Sequence, residues 1–522
     1  MGLEEENIKE ILLQRNYMKF RLIIQGIIIG LITGIVIVLN RISISKLNTL
    51  FISFYSWGNK KIINSLLVII VLALLGFLVG LMVKRESMIS GSGIPQVKGR
   101  VINKLKMNWF RILIYKFFGG IIALGAGLTL GREGPSVQIG ASIGEGVAEK
   151  SYKKYPVKKE FLITAGASAG LSAAFNSPLS GIIFALEEIH RNFSPLVLLP
   201  AMAAAITADF ISKNFLGMEP SLNFSEINAI PLKYYWILII LGILTGVMGV
   251  IFSKGIYLFQ DIYSRFKKVP QEVKVMIPFI ITAIIGLAFP ILLGGGHELI
   301  LELTVSNNSI LFLIILYLFK FILLLICFGS GVPGGIFLPM LLLGSILGNI
   351  VGVFSTEVLG VSSTFIINFI ALGMAGYFAS VVKAPITGIV LIMEMTGSFS
   401  HLLSLSVVVI ISYITSELLR NEPIYEVLLE RLLRKVGIKN EENKNKKTIL
   451  EFVVEMGSQV EGRYINEINW PKDCLLVSIK RGEREIIPRG SVKLVSGDYI
   501  VVLVNIDKRS YIIEEINKLT LV

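Results

Sequence analysis

Apolar runs too long and too numerous for a soluble core recur along most of this 522-residue chain. They include Leu22 to Leu39, Ile62 to Val83, Trp236 to Phe252, Val275 to Leu293, Ile310 to Phe319, Phe321 to Ser355 and Leu402 to Ile414. A bilayer is the solvent that suits such segments, because a spanning helix needs about 20 apolar residues and satisfies its own backbone in hydrocarbon. Composition agrees: 53% of residues are hydrophobic and 17% charged, with a mean hydropathy of +0.73. A soluble enzyme is excluded. Several runs are short or broken by Gly and Pro, which predicts a bundle of tilted, re-entrant and discontinuous helices, the build of secondary transporters.

The net charge of +13 does not signal nucleic-acid binding, because the Lys and Arg residues gather beside apolar runs. One cluster, Lys150, Lys153, Lys154, Lys158 and Lys159, predicts a cytoplasmic loop, and Arg265, Lys267, Lys268 and Lys274 form a second. Acids (Glu4, Glu5, Glu6) precede Lys19 and Arg21 with no cleavage-like site after them, so the N-terminus reads as a cytoplasmic lead-in helix. Cys327 and Cys474 have no disulfide or metal spacing, and His190, His297 and His401 are scattered, so no metal is expected.

Two segments superimpose, GASAGLSAAFNSPLSGIIFALEE and GMAGYFASVVKAPITGIVLIMEM. Pro178 pairs with Pro385, Gly181 with Gly388 and Glu187 with Glu394 at one common offset; Gly140 to Gly144 pairs with Gly344 to Gly348 at a slightly shorter one. The chain therefore holds two related halves, about 20–220 and 230–436, within a membrane domain over 1–436. Gly-interrupted apolar segments at matching points of two halves point to a binding site at their interface.

Within Phe117 to Ile143 the charged residues are Arg132 and Glu133. A carboxylate at that depth is costly unless paired, protonated or facing a polar cavity, which makes it a candidate for ion or proton transport. The alternative is a structural ion pair with Arg132. Glycine-rich breaks surround it in sequence: Gly91-Ser92-Gly93-Ile94-Pro95, Gly131-Arg132-Glu133-Gly134-Pro135 and Gly331-Val332-Pro333-Gly334-Gly335-Ile336-Phe337-Leu338-Pro339. Each precedes a helix-compatible run, so each sets a helix N-terminus, with free N–H groups, where an anion could rest. Partial charges hold a permeant anion and still release it. Close helix packing is the competing use of such glycines.

In motif order, spacing and internal repeat, residues 20–435 resemble the CLC family of chloride channels and chloride/proton antiporters. The resemblance implies an α-helical polytopic membrane protein with an inverted repeat and broken helices. It implies that Ser92 and Tyr425 coordinate a central chloride with their hydroxyls, and that the amides of Ile336 and Phe337 complete the site. Glu133 would be the gating glutamate, occupying the outer anion position when ionised and releasing a proton outward after swinging away. In Phe184-Ala185-Leu186-Glu187-Glu188, the second acid matches the relay that exchangers carry and channels generally lack. Glu188 therefore implies a chloride/proton antiporter, with a passive channel gated by Glu133 as the alternative. A solvated helix end is the bland reading of Glu187 and Glu188; Glu187, with its repeat partner Glu394, reads as structural. Ser92 and the intact GREGP imply chloride rather than fluoride, and Gln96 departs from the Glu common after GSGIP.

Beyond a charged linker at 437–448, alternating runs such as Cys474 to Ile479 and Tyr499 to Val504 predict a small α+β domain over 449–522. Its Pro488-Arg489-Gly490 and Gly497-Asp498 turns resemble the TrkA-C module, which implies a ligand-sensing role, for instance for a nucleotide, or a dimerising one. No cofactor is expected for the membrane domain beyond transported chloride and protons. The resemblance implies a homodimer; short loops and the lack of a targeting segment or of paired cystathionine-synthase-type domains predict a prokaryotic plasma membrane, with both termini cytoplasmic and no nucleic-acid partner.

Overall fold

The computed structural model describes residues 2–152, 159–224, 229–306, 308–438, 447–482, 484–505 and 508–521, with side chains except at 2–17, 152 and 510. Lys153, Lys154 and Lys158 of the first basic cluster, and linker residues 439–446, lie outside these residues. Two compact units divide the chain, Met1–Leu432 and Leu433–Val522.

The first unit is all helical. Its first half runs α1 (Gly2–Gly58), α2 (Ile62–Arg85), α3 (Ile94–Val101), α4 (Trp109–Gly125), α5 (Glu133–Tyr152), α6 (Lys159–Phe175), α7 (Pro178–Phe184), a π-helical turn (Ala185–His190) and α8 (Pro195–Leu216). The second half repeats the plan with α9 (Tyr235–Arg265), α10 (Gln271–Ala288), α11 (His297–Val305), α12 (Ile310–Gly329), α13 (Phe337–Leu359), α14 (Ile366–Val382), α15 (Pro385–Thr396) and α16 (Leu402–Leu418), before α17 (Ile424–Lys435). Among the described residues, eight helices are long and apolar enough to cross a membrane. Lys320, which divides two of the apolar runs, lies inside α12, and the run from Phe321 to Ser355 is split by the break before α13. α12 passes through Lys320 because its ammonium turns inward onto backbone carbonyls, so the charge needs no exit to water.

Small residues let the layers close. A Cβ on Gly140 would strike the Gly166 carbonyl of α6, and one on Gly348 would strike the Phe369 carbonyl of α14. The paired Gly-Ala-Ser-Ile-Gly and Gly-Ser-Ile-Leu-Gly segments are therefore backbone-to-backbone contacts, the usual device where apolar side chains gain nothing over lipid. α13 and α14 are the most enclosed spans, with 89% and 83% of their apolar windows buried, so the second-half site loop is anchored on helices that hardly meet lipid.

The second unit holds a four-stranded antiparallel sheet ordered β1-β4-β2-β3: β1 (Lys447–Val453), β2 (Cys474–Arg481), β3 (Arg484–Ile486) and β4 (Tyr499–Asn505). α18 (Arg509–Thr520) contributes Ile512 and Ile516 to a core with Ile479, Ile500 and Val502. Asp498 is more than a turn residue. Its buried carboxylate accepts two hydrogen bonds from Arg481, at 2.8 Å and 2.8 Å, and one from the Val495 amide at 3.0 Å, joining the turn to β2.

Candidate functional site

The three glycine-rich breaks meet. Gly131 and Gly335 exchange two backbone hydrogen bonds of 2.7 Å, and the Gly334 N–H donates to the Gly91 carbonyl at 3.1 Å. Loops from both halves are thus pinned main chain to main chain, and each ends in a helix start, of α3, α5 and α13. Only glycine fits at the closest approach: a Cβ on Gly134 would collide with Ser92 Oγ. Gly93, with φ at +95°, turns the chain into α3 while pressed against the Gln138 side chain.

Around this junction Ser92 Oγ, the Tyr425 hydroxyl and both carboxylate oxygens of Glu133 are buried and make no well-formed hydrogen bond, and the same holds for Arg132 Nε and Gln138 Oε1 beside them. Buried polar groups in native proteins are nearly always satisfied, so a cluster of exceptions needs a chemical reason. Ser92 is 2% exposed, Glu133 and Tyr425 0%. The Tyr425 hydroxyl faces Ser92, and its ring stands edge-on to Phe184, which in turn packs edge-on against Phe337 at the start of α13. Glu133 folds back against its own loop. The Cβ position of Gly131 would touch its carboxylate and lie 3.2 Å from the Leu338 amide nitrogen, so the acid sits by the α13 N-terminus. Arg132 Nε stands 3.8 Å from Glu133, an ion pair longer than a charge-assisted hydrogen bond. Hydroxyls and helix N-termini around one point, with a carboxylate beside them, offer the partial charges that a small anion needs.

Two buried lysines stiffen the loops, and sequence reading missed both. Lys116 of α4 donates to the carbonyls of Ile89 and Gly91 at 2.8 Å and 2.6 Å. Lys320 of α12 donates to Leu292, Leu293 and Gly294 at 3.0, 3.2 and 3.0 Å. They stand at the offset that relates Gly140 to Gly344. A lysine at matching positions of two repeated apolar helices was the available signal.

Glu188 is not at a solvated helix end. It is 2% exposed, in the π-helical turn after α7, and its carboxylate takes the Lys98 ammonium at 2.6 Å. Lys98 also reaches Glu426 at 2.8 Å, and Glu426 reaches Arg191 at 2.7 Å. A chain of alternating charge thus runs from a buried acid to the half-exposed Arg191. Lys98 lies two positions after Gln96, whose amide nitrogen binds the Ser90 carbonyl at 2.8 Å and so braces the loop that carries Ser92.

Glu187 and Glu394 are structural, and reciprocally so. Glu187 accepts from the Ile386 and Thr387 amides and the Thr387 hydroxyl at the start of α15; Glu394 accepts from the Leu179 and Ser180 amides and the Ser180 hydroxyl at the start of α7. Each half caps a helix of the other, where the dipole favours an anion. Glu187→Ala is expected to cost about 1–3 kcal/mol, read as a lower thermal unfolding midpoint in detergent, with Glu187→Gln intermediate. An unchanged midpoint for the alanine variant would refute the capping role.

Residues 75–417 match the family model described as voltage gated chloride channel. The chain belongs to the CLC family. Residues 449–517 match the TrkA-C domain. Among curated CLC proteins, the H(+)/Cl(-) exchange transporter ClcA of Vibrio parahaemolyticus serotype O3:K6 (strain RIMD 2210633) is 37% identical over 372 residues, covering 70% of this chain and 80% of that protein. The crystal structure of a slow cyanobacterial Cl-/H+ antiporter superimposes with a TM-score of 0.76 at 32% identity, over 80% of this chain and 99% of that one. A eukaryotic CLC transporter shares the fold, with a TM-score of 0.66 at 22% identity over 78% of this chain and 74% of that one.

In this CLC protein the structure brings together Ser92, Glu133, Ile336, Phe337 and Tyr425, and the glycines at 91, 93, 131, 134, 334 and 335 that let their loops touch. Glu188 joins a separate cluster around Lys98.

Proposed function

We propose that this protein is a chloride/proton antiporter, with Glu133 as gate and proton carrier and Glu188 as the second proton station. One observation carries the reading: the buried oxygens of Ser92, Tyr425 and Glu133, which make no well-formed hydrogen bond, lie at helix starts contributed by both halves. Chloride satisfies the two hydroxyls and the amides of Ile336 and Phe337, whose partial charges hold it and still release it. The ionised Glu133 occupies the outer position as an anion substitute; protonation removes its claim on the amides, chloride takes the place, and the acid turns outward with its proton. Glu188 supplies that proton from the other water phase, so that two titratable stations bracket the apolar gap. The exchange function named for the ClcA relative and the cyanobacterial antiporter supports this coupling. One pathway serves each subunit of a homodimer, and chloride is preferred over fluoride because Ser92 and the GREGP sequence are intact.

Purified protein in liposomes tests the proposal. With an outward chloride gradient and no proton gradient, protons are expected to move uphill against chloride. Chloride flux without any proton movement would leave a passive channel instead. Deletion of 437–522, which spares all of α17, is expected to leave exchange within about twofold of the full chain, since no transport role falls on the tail. Loss of flux from a folded truncation would assign the tail an obligatory part.

A further inference from the structure

A cavity of about 460 Å³ opens between the end of α9, the first half of α10 and α12, away from the ion site. Phe259, Tyr263, Phe266, Val273, Ile277 and Ile326 are among its lining residues, and Lys274 is the one charged side chain there. Phe266 and Ile277 are 55% and 37% exposed, so the cavity is open to its surroundings. It lies where the chain leaves hydrocarbon: α9 and α10 are both long and apolar enough to span, and a short loop joins them. Arg265, Lys267, Lys268 and Lys274 crowd that loop and the turn after it.

Two acids on the same helices carry partners of their own. Asp261 is bound by Arg431 at 2.6 Å and 3.2 Å, and Glu272 takes Lys84 at 2.5 Å. A pocket of this size lined by aliphatic and aromatic groups suits a flexible apolar ligand, and basic residues at a membrane surface attract anionic headgroups. Gln271, one turn before Lys274, donates to the Ser330 carbonyl at 2.9 Å, so the helix that forms the cavity also braces the loop leading to Ile336.

We propose that this cavity binds an anionic phospholipid, with an acyl chain among Phe259, Phe266, Val273 and Ile277 and the phosphate held by Lys267, Lys268 and Lys274. A neutral phospholipid offers the same chain but no net charge to the lysines. The full-length protein, purified in detergent, is mixed with phosphatidylglycerol, phosphatidylcholine of the same chains, or oleate, and retained molecules are counted by native mass spectrometry. Wild type is expected to retain phosphatidylglycerol selectively. Replacing the three lysines together with Gln should weaken that retention on the order of a hundredfold, and Val273→Trp should abolish retention by filling the cavity. Unfolding midpoints check that both variants are folded; should Val273→Trp fail, the lysine variant decides alone. Equal retention of phosphatidylcholine, stronger retention of oleate than of phosphatidylglycerol, or an unaffected lysine variant would overturn the proposal. Binding is read without transport, so the outcome stands apart from the antiport reading.

Discussion

Glu133→Gln is expected to reduce chloride-driven proton movement by at least about a hundredfold while chloride still crosses. Glutamine keeps the side-chain volume and hydrogen-bonding reach but neither ionises nor carries a proton. The site around it stays intact, because Ser92, Tyr425 and the α13 start are positioned by loop contacts that do not use the carboxylate: the Gly131–Gly335 bridge, the Gly334–Gly91 bond and the lysine clamps on Gly91 and Gly294. Chloride flux should also lose its dependence on pH if Glu133 is the group that gates it. Proton-coupled flux that survives in Glu133→Gln would remove the residue from the mechanism.

Glu188→Gln is expected to lose proton movement to a similar degree, with the fold preserved. The ion-pair geometry explains why the change is tolerated. Lys98 keeps Glu426 as a partner at 2.8 Å, so neutralising Glu188 does not strand the ammonium. Lys98→Met is the informative contrast, because it leaves the buried Glu188 carboxylate without its cation, a change that costs about 3–5 kcal/mol where no other group compensates. The expected pattern is therefore a stable but uncoupled Glu188→Gln and a destabilised Lys98→Met, measured as proton flux in liposomes and unfolding midpoints in detergent. Full coupling in Glu188→Gln would place the second proton station elsewhere.

Much of this was legible before any coordinates, for reasons that differ by residue. The helix starts at α3, α5 and α13 were visible because Gly and Pro interrupt runs that are otherwise uniformly apolar. Glu133 stood out as a charge in the wrong solvent. The two halves showed through Pro178 and Pro385, which both open short helices, and through Glu187 and Glu394, whose capping role follows from acids placed to meet those openings. What sequence could not convey was contact between distant segments. Lys98 belongs to no sequence motif, and its partnership with Glu188 spans elements far apart in the chain. Lys116 and Lys320 point inward onto carbonyls, which no periodicity predicts. The Asp498–Arg481 pair was hidden for the same reason, since a Gly-Asp turn accounts for its sequence without naming the strand it holds.

The central claim is that the Glu133 carboxylate and the transported anion compete for one place at the α13 N-terminus. Crystals of wild type and Glu133→Ala soaked in bromide test it through anomalous scattering. Both should show an anion between Ser92 and Tyr425, and the alanine variant should show an additional one beside the Leu338 amide, where the carboxylate lies in wild type. The same bromide positions in both proteins, with nothing gained at Leu338, would contradict the account.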